Sequence, residues 1–494
     1  MFARTSLFVC MIFSLLLALP GVSSAQGVEV DAKRIDDAVK KGVGFLKGIA
    51  KPDGSFIGTA QHEGLYPEGT TALVLFALLK SGFVERNDKI IVSGFNFIMS
   101  KEFKTVYSVS LLILALEARY APKPKPAAPE PEPDKGPKKG MATEPAPPPE
   151  KAIRKNFGQG ASPRDKKLLT DAVKWLLSKQ QANIWRYPGG MPGAQAPDNP
   201  GGGQMAGMED FSNTQYAMLA LSAARRLGYP IQADVWTKVV EYALKYQQEK
   251  GPEVEWFPVP AADFSITKLR KMRDSYLKEL TTAVKKHNKE VKKARRGGKD
   301  PEEAGLTKDG PKTSVAKPDP YKDFGSEKNK MYARGWAYLP SGTMPFSGSM
   351  TTSGVAALVI CKDAIESAGR YKPMQKKVDQ AIRDGCAWLA HNFTVTSNPG
   401  HGSWHYYYLY GLERAGVLSI CRLFGKHNWY VEGVNHLLGA QQGNGSWPGT
   451  GNCSELSNTC FALLFLKRAT TPIIGEPEET YTGEDLFGGR RGGK

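Results

Sequence analysis

The residues with the plainest capacity for chemistry sit in Gly400-His401-Gly402-Ser403-Trp404-His405-Tyr406-Tyr407-Tyr408. His401 and His405 are four apart and would share one face of a helix, a placement that suits a metal ion. A zinc centre needs a third ligand, and Asp210, Glu455 or Cys453 supplies it only if distant parts of the chain converge. His401 and His405 are therefore the candidate metal ligands, and Asp210, His401, His405 and Glu455 the candidate catalytic groups. The plainer reading is that Ser, Thr, Asp and Glu here cap helix N-termini and the histidines are hydrogen-bonded lining residues. Trp404, Tyr406, Tyr407, Tyr408, Tyr216, Asn458 and Phe461 form a second set, the wall of a cavity or its mouth. Aromatic faces stabilise cations, and they serve equally as packing. No pattern points to a particular cofactor.

Positioning such residues requires a repeated frame, and the chain contains one. Six segments place an aromatic residue or His before an apolar or small residue on a first helix: Phe45-Leu46, Phe97-Ile98, Trp175-Leu176, Tyr242-Ala243, Trp388-Leu389 and His436-Leu437. Each leads to a second, more apolar helix, such as Thr70 to Leu79, Val109 to Leu116 or Asn458 to Leu466. A helix apolar on nearly every side must be buried on nearly every side, so an inner ring sheathed by amphipathic outer helices is expected. The second helices align on Leu78, Leu116, Leu221, Ile360, Leu412 and Leu466. Counting back puts Thr71, Thr214, Ser353, His405 and Thr459 near their N-termini, with Asp210, Ser349, His401 and Glu455 four residues earlier. In a closed ring these N-termini gather at one mouth, where their partial positive charge favours anions. Several first helices run into a Gln and then a Gly or Trp turn: Gln180 to Trp185, Gln247 to Trp256, Gln441 to Trp447, and more weakly Lys51 to Phe56.

The remaining sequence departs from this frame in composition. Of 494 residues, 52 are Gly and 34 Pro, and the net charge is +17. Residues 1–25 read as a secretory leader, with Arg4, an apolar run from Leu7 to Leu19, and cleavage expected between Ala25 and Gln26; the rival is an uncleaved anchor. The expectation is an exported protein, periplasmic or secreted. Five cysteines follow the leader (Cys361, Cys386, Cys421, Cys453, Cys460), an odd number whose pairing cannot be deduced. Eleven prolines in residues 121–150 predict an extended linker over 121–164. From Lys268 to Lys299, 13 Lys or Arg face three acidic residues. There Leu269, Met272, Tyr276, Leu280, Val284, His287 and Val291 predict one long amphipathic helix inside a basic insertion, 262–330. Its basic face suits an anionic envelope polymer or membrane surface, less readily nucleic acid, unless it is simply solvated. The expected order is thus leader 1–25, repeats 1–2 over 26–120, linker 121–164, repeats 3 to early 4 over 165–261, insertion 262–330, repeats late 4 to 6 over 331–469, and tail 470–494.

The Gln-Gly-Trp turns and the inner-helix pattern resemble the prenyltransferase and squalene-cyclase repeat superfamily, most strongly from Gly385 to Ala469. The resemblance implies an all-α fold, an α/α toroid of about six helical hairpins around an apolar cavity, in a divergent exported bacterial member. It also implies where catalytic groups would stand. Squalene-hopene-type cyclases use a D-x-D-D acid cluster, and this chain has none: Asp36-Asp37 has Asp31 too far upstream. Protein prenyltransferases hold zinc with Asp-x-Cys and with a His preceding Thr-Cys; here those positions carry Ser403, His405 and Asn458.

The functional expectation is therefore a terpenoid cyclase-like toroid without the family's known catalytic residues, binding an apolar or isoprenoid-like small molecule in its cavity or mouth. Two alternatives remain open. One is an enzyme with a relocated acid, or with a metal around His401, His405 and Asp210; the other is an envelope scaffold acting through its basic insertion.

Overall fold

The computed structural model describes residues 31–123, 145, 147–181, 183–186, 211–301, 305–306, 321, 329–339, 344–449 and 452–474. The leader, most of the Pro-rich stretch and Asp210 lie outside the described residues.

The described chain is almost entirely helical. In order it forms α1 (Ala32–Gly48), α2 (Gln61–Leu65), α3 (Pro67–Lys80), α4 (Lys89–Met99), α5 (Val106–Tyr120), α6 (Pro149–Gly160), α7 (Pro163–Ser178), α8 (Phe211–Arg226) and α9 (Ala233–Tyr246). There follow β1 (Glu253–Val254), α10 (Pro260–Asp263), α11 (Ile266–Arg296), β2 (Met331–Tyr332), α12 (Gly348–Ser367), α13 (Gln375–His391), α14 (His405–Ser419), α15 (Trp429–Ala440) and α16 (Glu455–Leu466).

Two kinds of helix alternate, as the sequence predicts. α3 buries every residue after Pro67, and α16 is buried almost as completely. α1 buries one stripe, Ile35, Val39, Val43 and Leu46 with their neighbours, and turns its lysines outward. The fully buried helices touch in succession: α3 packs on α5, α5 on α8, α8 on α12, α12 on α14 and α14 on α16. α16 in turn packs on α3. The one-sided helices lie against them, α4 on α3, α7 on α5, α9 and α13 on α12, α15 on α14 and α16, and α1 on α16.

One device recurs at the turn between the two helices of a pair. A buried aromatic residue donates its backbone N–H to a threonine hydroxyl near the start of the inner helix. The pairs are Phe56 to Thr71 (2.9 Å), Trp185 to Thr214 (3.3 Å), Trp336 to Thr351 (3.2 Å) and Trp447 to Thr459 (3.1 Å). In the last three the indole Nε1–H also donates to the outer helix, at the carbonyls of Leu176, Ala243 and Leu437. Burying an indole without a partner for its N–H would be costly, so each Trp is fixed at both ends. The glutamine of each of the three tryptophan-bearing turns reaches onward. Gln180 donates to Val235 O at the start of α9, and Gln247 to Ala381 O on α13. Gln441 of the sixth pair donates at 2.9 Å to Ala38 O on α1.

This device corrects the sequence reading of the fourth repeat. Its tryptophan is Trp336 rather than Trp256, its threonine Thr351 rather than Ser353, and the matching inner residue Leu358 rather than Ile360. The cause is the insertion, which leaves between Gln247 and its Trp. A short antiparallel pair, Glu253 with Tyr332 and Val254 with Met331, closes its base. Two further boundaries move. α6 forms within the span expected to be linker, because Pro149 and Glu150 suit a first turn and Ala152, Ile153 and Phe157 have a surface to cover. Residues 470–474 are not free tail: Thr470, Thr471 and Ile473 are buried. α11 is the long amphipathic helix expected, with Leu269, Val284, His287 and Val291 buried. Among the described residues no helix is long and apolar enough to cross a membrane.

Candidate functional site

The N-terminal ends of the inner helices hold a column of aromatic rings that descends from the surface. Trp404, half-buried, lies 5.9 Å from the exposed His62 ring and 6.2 Å from Tyr407. Tyr407 stacks on Tyr216 at 6.2 Å and meets Phe461 edge-on at 5.8 Å. Tyr107 packs on Tyr216 at 4.8 Å, and Phe461 stacks on Tyr410 at 6.0 Å. These residues come from α5, α8, α14 and α16 and the turn before α14, so the site exists only because helices distant in sequence are packed together.

A polar chain runs through the column. The Tyr107 and Ser212 hydroxyls are hydrogen-bonded, and Ser212 bonds to the Tyr407 hydroxyl at 2.9 Å. Gln215 Nε2 donates to the same Tyr407 oxygen, and its Oε1 accepts from Arg414 Nη2 at 3.0 Å. Arg414 is completely buried and lies over three tyrosine faces, 4.2 Å from Tyr410, 5.5 Å from Tyr216 and 5.9 Å from Tyr407. Its one well-formed hydrogen bond is that to Gln215, and the Tyr216 and Tyr410 hydroxyls stand beside the rest of the guanidinium. A desolvated cation over aromatic rings gains on the order of 2 kcal/mol or more, which helps it stay charged out of water. Burial pushes the Tyr216 and Tyr410 phenols far above their ordinary range, so they present neutral hydroxyls.

Sequence reasoning names Tyr216, Trp404, Tyr407 and Phe461, and the structure brings these four together. It places the others elsewhere. Tyr406 packs on His405, the Tyr408 hydroxyl donates to Thr394 O, and the fully buried Asn458 donates to Pro448 O at 2.8 Å. Sequence reasoning misses Tyr107, Ser212, Gln215, Tyr410 and Arg414. A signal for the last two is present, since Tyr407, Tyr410 and Arg414 fall on one face of α14 and a charge amid a helix buried all round demands a purpose.

His401 and His405 do not share a helical face. α14 begins only at His405, after left-handed Gly400 (φ +72°) and Trp404 (φ +65°) turn the chain sharply. His401 Nδ1 accepts from Ser403 N–H at 3.1 Å, and His405 Nε2 donates to Val395 O at 2.8 Å. The His405 ring instead meets His436 at 5.0 Å, and burial lowers the pKa of both. Glu455 opens α16 and ties down the preceding turn, accepting from Asn444 Nδ2 at 2.9 Å and from the Ser446 hydroxyl. Cys453 is buried, and burial pushes its thiol up to about 12. Among the described residues no group of three or more His, Cys, Asp or Glu is gathered for a metal.

The other end of the inner helices is closed by charge and by the chain that follows α16. Glu117 pairs with Arg226, and Lys80 Nζ donates to Thr471 Oγ1 at 3.2 Å. Glu413 accepts from both the amide (3.1 Å) and the hydroxyl (2.6 Å) of Thr470. The cavity left here measures about 20 Å³, room for about one water and not for an isoprenoid chain. A groove of about 300 Å³ lies apart from the column, between α4 and the turn joining α6 to α7. Its charges are mostly engaged, Arg119 with Asp165 and Arg164 with Asn96.

Compared with known proteins, the chain matches no family model and no curated protein sequence.

Proposed function

We propose that the chain is a closed α/α toroid of six hairpins, akin to the squalene-cyclase and prenyltransferase repeat proteins, whose function is to bind a small molecule at the mouth where the inner helices begin. The observation that carries this is Arg414: a fully buried guanidinium with no carboxylate partner, held by one well-formed hydrogen bond to Gln215 and by tyrosine rings, at the foot of an aromatic column that reaches the surface at Trp404. A protein that needed only a filled axis would gain more from an apolar side chain, because burying an unpaired charge opposes folding. The ligand this chemistry suits has an apolar or aromatic body, to lie against Trp404, Tyr407 and Phe461. Its leading end accepts hydrogen bonds and engages the Tyr107, Ser212, Tyr407 and Gln215 chain above Arg414. The rim donors are already organised across three helices, so little ordering is required on binding.

The test is native mass spectrometry of the protein isolated under non-denaturing conditions, with extraction and identification of what it carries. The expected result is a stoichiometric bound mass in the wild type that is lost in Trp404→Ala. Protein that is bare in both forms would remove the proposal.

A further inference from the structure

The basic helix α11 carries an order that its composition does not reveal. Eight of its cations, Lys268, Lys271, Lys278, Lys286, Lys289, Lys292, Lys293 and Arg296, are exposed and have no ion-pair partner among the described residues. At 100° per residue they fall within a single arc of about 120°. At 1.5 Å per residue the row from Lys268 to Arg296 is about 42 Å long. Lys285, Ser275 and Thr282 share the arc, with no apolar or aromatic side chain. Asp274, at its edge, is already engaged by Arg273 and Lys151. The opposite face is occupied, since Leu269, Val284, His287 and Val291 are buried.

The row is held firmly at its start. Ser265 Oγ and Thr267 N–H both donate to Glu366 at 3.0 Å, Arg270 pairs with Asp363 at 2.7 Å, and buried Arg273 pairs with Glu150 at 2.6 Å. The helix is therefore not an arm free to roll its apolar stripe into a lipid interface, as surface-seeking amphipathic helices do. Nor does it offer the rings on which unpaired bases stack. Like charges one turn apart, such as Lys289 with Lys293 and Lys292 with Arg296, repel, and the helix dipole at the C-terminal turn and Glu290, one turn from Lys286 and Lys293, offset that repulsion only in part.

We infer that this face of α11 is a docking ridge for an acidic polysaccharide, a flexible single chain with regularly spaced carboxylate or sulfate groups lying lengthwise along the row. A flexible polyanion can follow a straight, one-sided row of ammonium groups, each of which gains by displacing condensed counter-ions. A stiff duplex meets such a row only where one strand passes close. The ridge is separate from the aromatic mouth, and its occupancy does not depend on what the mouth binds.

The experiment is fluorescence anisotropy with labelled oligogalacturonate long enough to span the row, on the full chain and over a range of salt. Lys271→Glu, Lys278→Glu and Lys289→Glu together should weaken binding on the order of a hundredfold, at about a fivefold loss per cation removed, and should flatten the salt dependence. The control is Lys174→Glu with Lys238→Glu, exposed lysines on α7 and α9, which should leave binding within about twofold. Circular dichroism should show unchanged helicity in both, because every replaced side chain is exposed. Equal losses in ridge and control variants would overturn the proposal. So would a wild-type chain that leaves oligogalacturonate free while binding duplex DNA or phosphatidylglycerol vesicles through the ridge, or that binds none of the three.

Discussion

Arg414 and Glu413 are neighbours in sequence, both fully buried, and each makes a separable prediction. Because Arg414 is held by tyrosine faces and one glutamine oxygen, its removal should be judged by what replaces it. Arg414→Ala leaves a void and an unmatched Gln215 oxygen, and should lower unfolding free energy by about 3–5 kcal/mol. Arg414→Met keeps the volume and buries no charge but leaves the same Gln215 oxygen unmatched, so it should cost only about 1–3 kcal/mol, less than Arg414→Ala, while losing any ligand retained at the mouth; urea midpoints read the first effect and native mass spectrometry the second. The Glu413 carboxyl is pushed up to about 7, chiefly by burial, against the opposing pull of its Thr470 hydrogen bonds, Arg414 and Arg468. A carboxyl that binds its proton more tightly when folded adds stability at low pH and loses it as pH rises from the unfolded value of 4.5 through about 7. The loss attributable to this group is about 3 kcal/mol, since each tenfold difference in proton affinity between the two states is worth about 1.4 kcal/mol. Glu413→Gln should therefore flatten the fall in stability measured between about pH 5 and about pH 8, and a wild-type slope surviving in that variant would reassign it to another group.

The helices themselves are the most legible feature of the sequence, because a stripe of apolar residues and an unbroken apolar run have different physical fates. Phe45-Leu46, Trp175-Leu176 and His436-Leu437 mark outer helices because their second residue must face inward, and Leu46, Leu176 and Leu437 are indeed completely buried. The turns are legible only where sequence neighbours are neighbours in space. Trp447 follows Gln441 closely and can be matched to it, whereas Trp336 is separated from Gln247 by the whole insertion, and no local pattern links them. The candidate site is half legible for a related reason. Tyrosines on α14 can be counted along one helix, but that Ser212 and Tyr107 approach them is a fact of packing between helices far apart in sequence. Loss of the shared turn device should cost in proportion to what each group buries. Trp447→Ala should destabilise by about 3–5 kcal/mol through the cavity and the lost indole hydrogen bond, and Thr459→Val by about 1 kcal/mol through the one bond to the Trp447 amide, both read from denaturant midpoints.

Whether the packing is an arc or a ring decides how damage spreads. In an open stack of repeats each unit leans only on its sequence neighbours, so a lesion in the last pair is not felt by the first. Here the last pair touches the first at several independent points. α16 packs on α3, Gln441 reaches Ala38 O, Lys467 pairs with Asp36 at 3.3 Å, and the Ser454 amide donates to buried Glu63 at 3.1 Å. Gly42 on α1 leaves so little space that an added Cβ would stand 3.1 Å from the Trp447 ring. Native-state hydrogen exchange on Trp447→Ala should consequently show faster opening in α1 and α3 as well as in α14, the two flanks being equally adjacent to the damaged turn. α8, which among the described residues packs chiefly on α5 and α12, should be affected least, since partial opening draws on the contacts nearest the lesion. Unchanged protection in α1 and α3 would mean that the contacts between the last pair and the first contribute nothing to stability, and the proposed closed ring would lose its support.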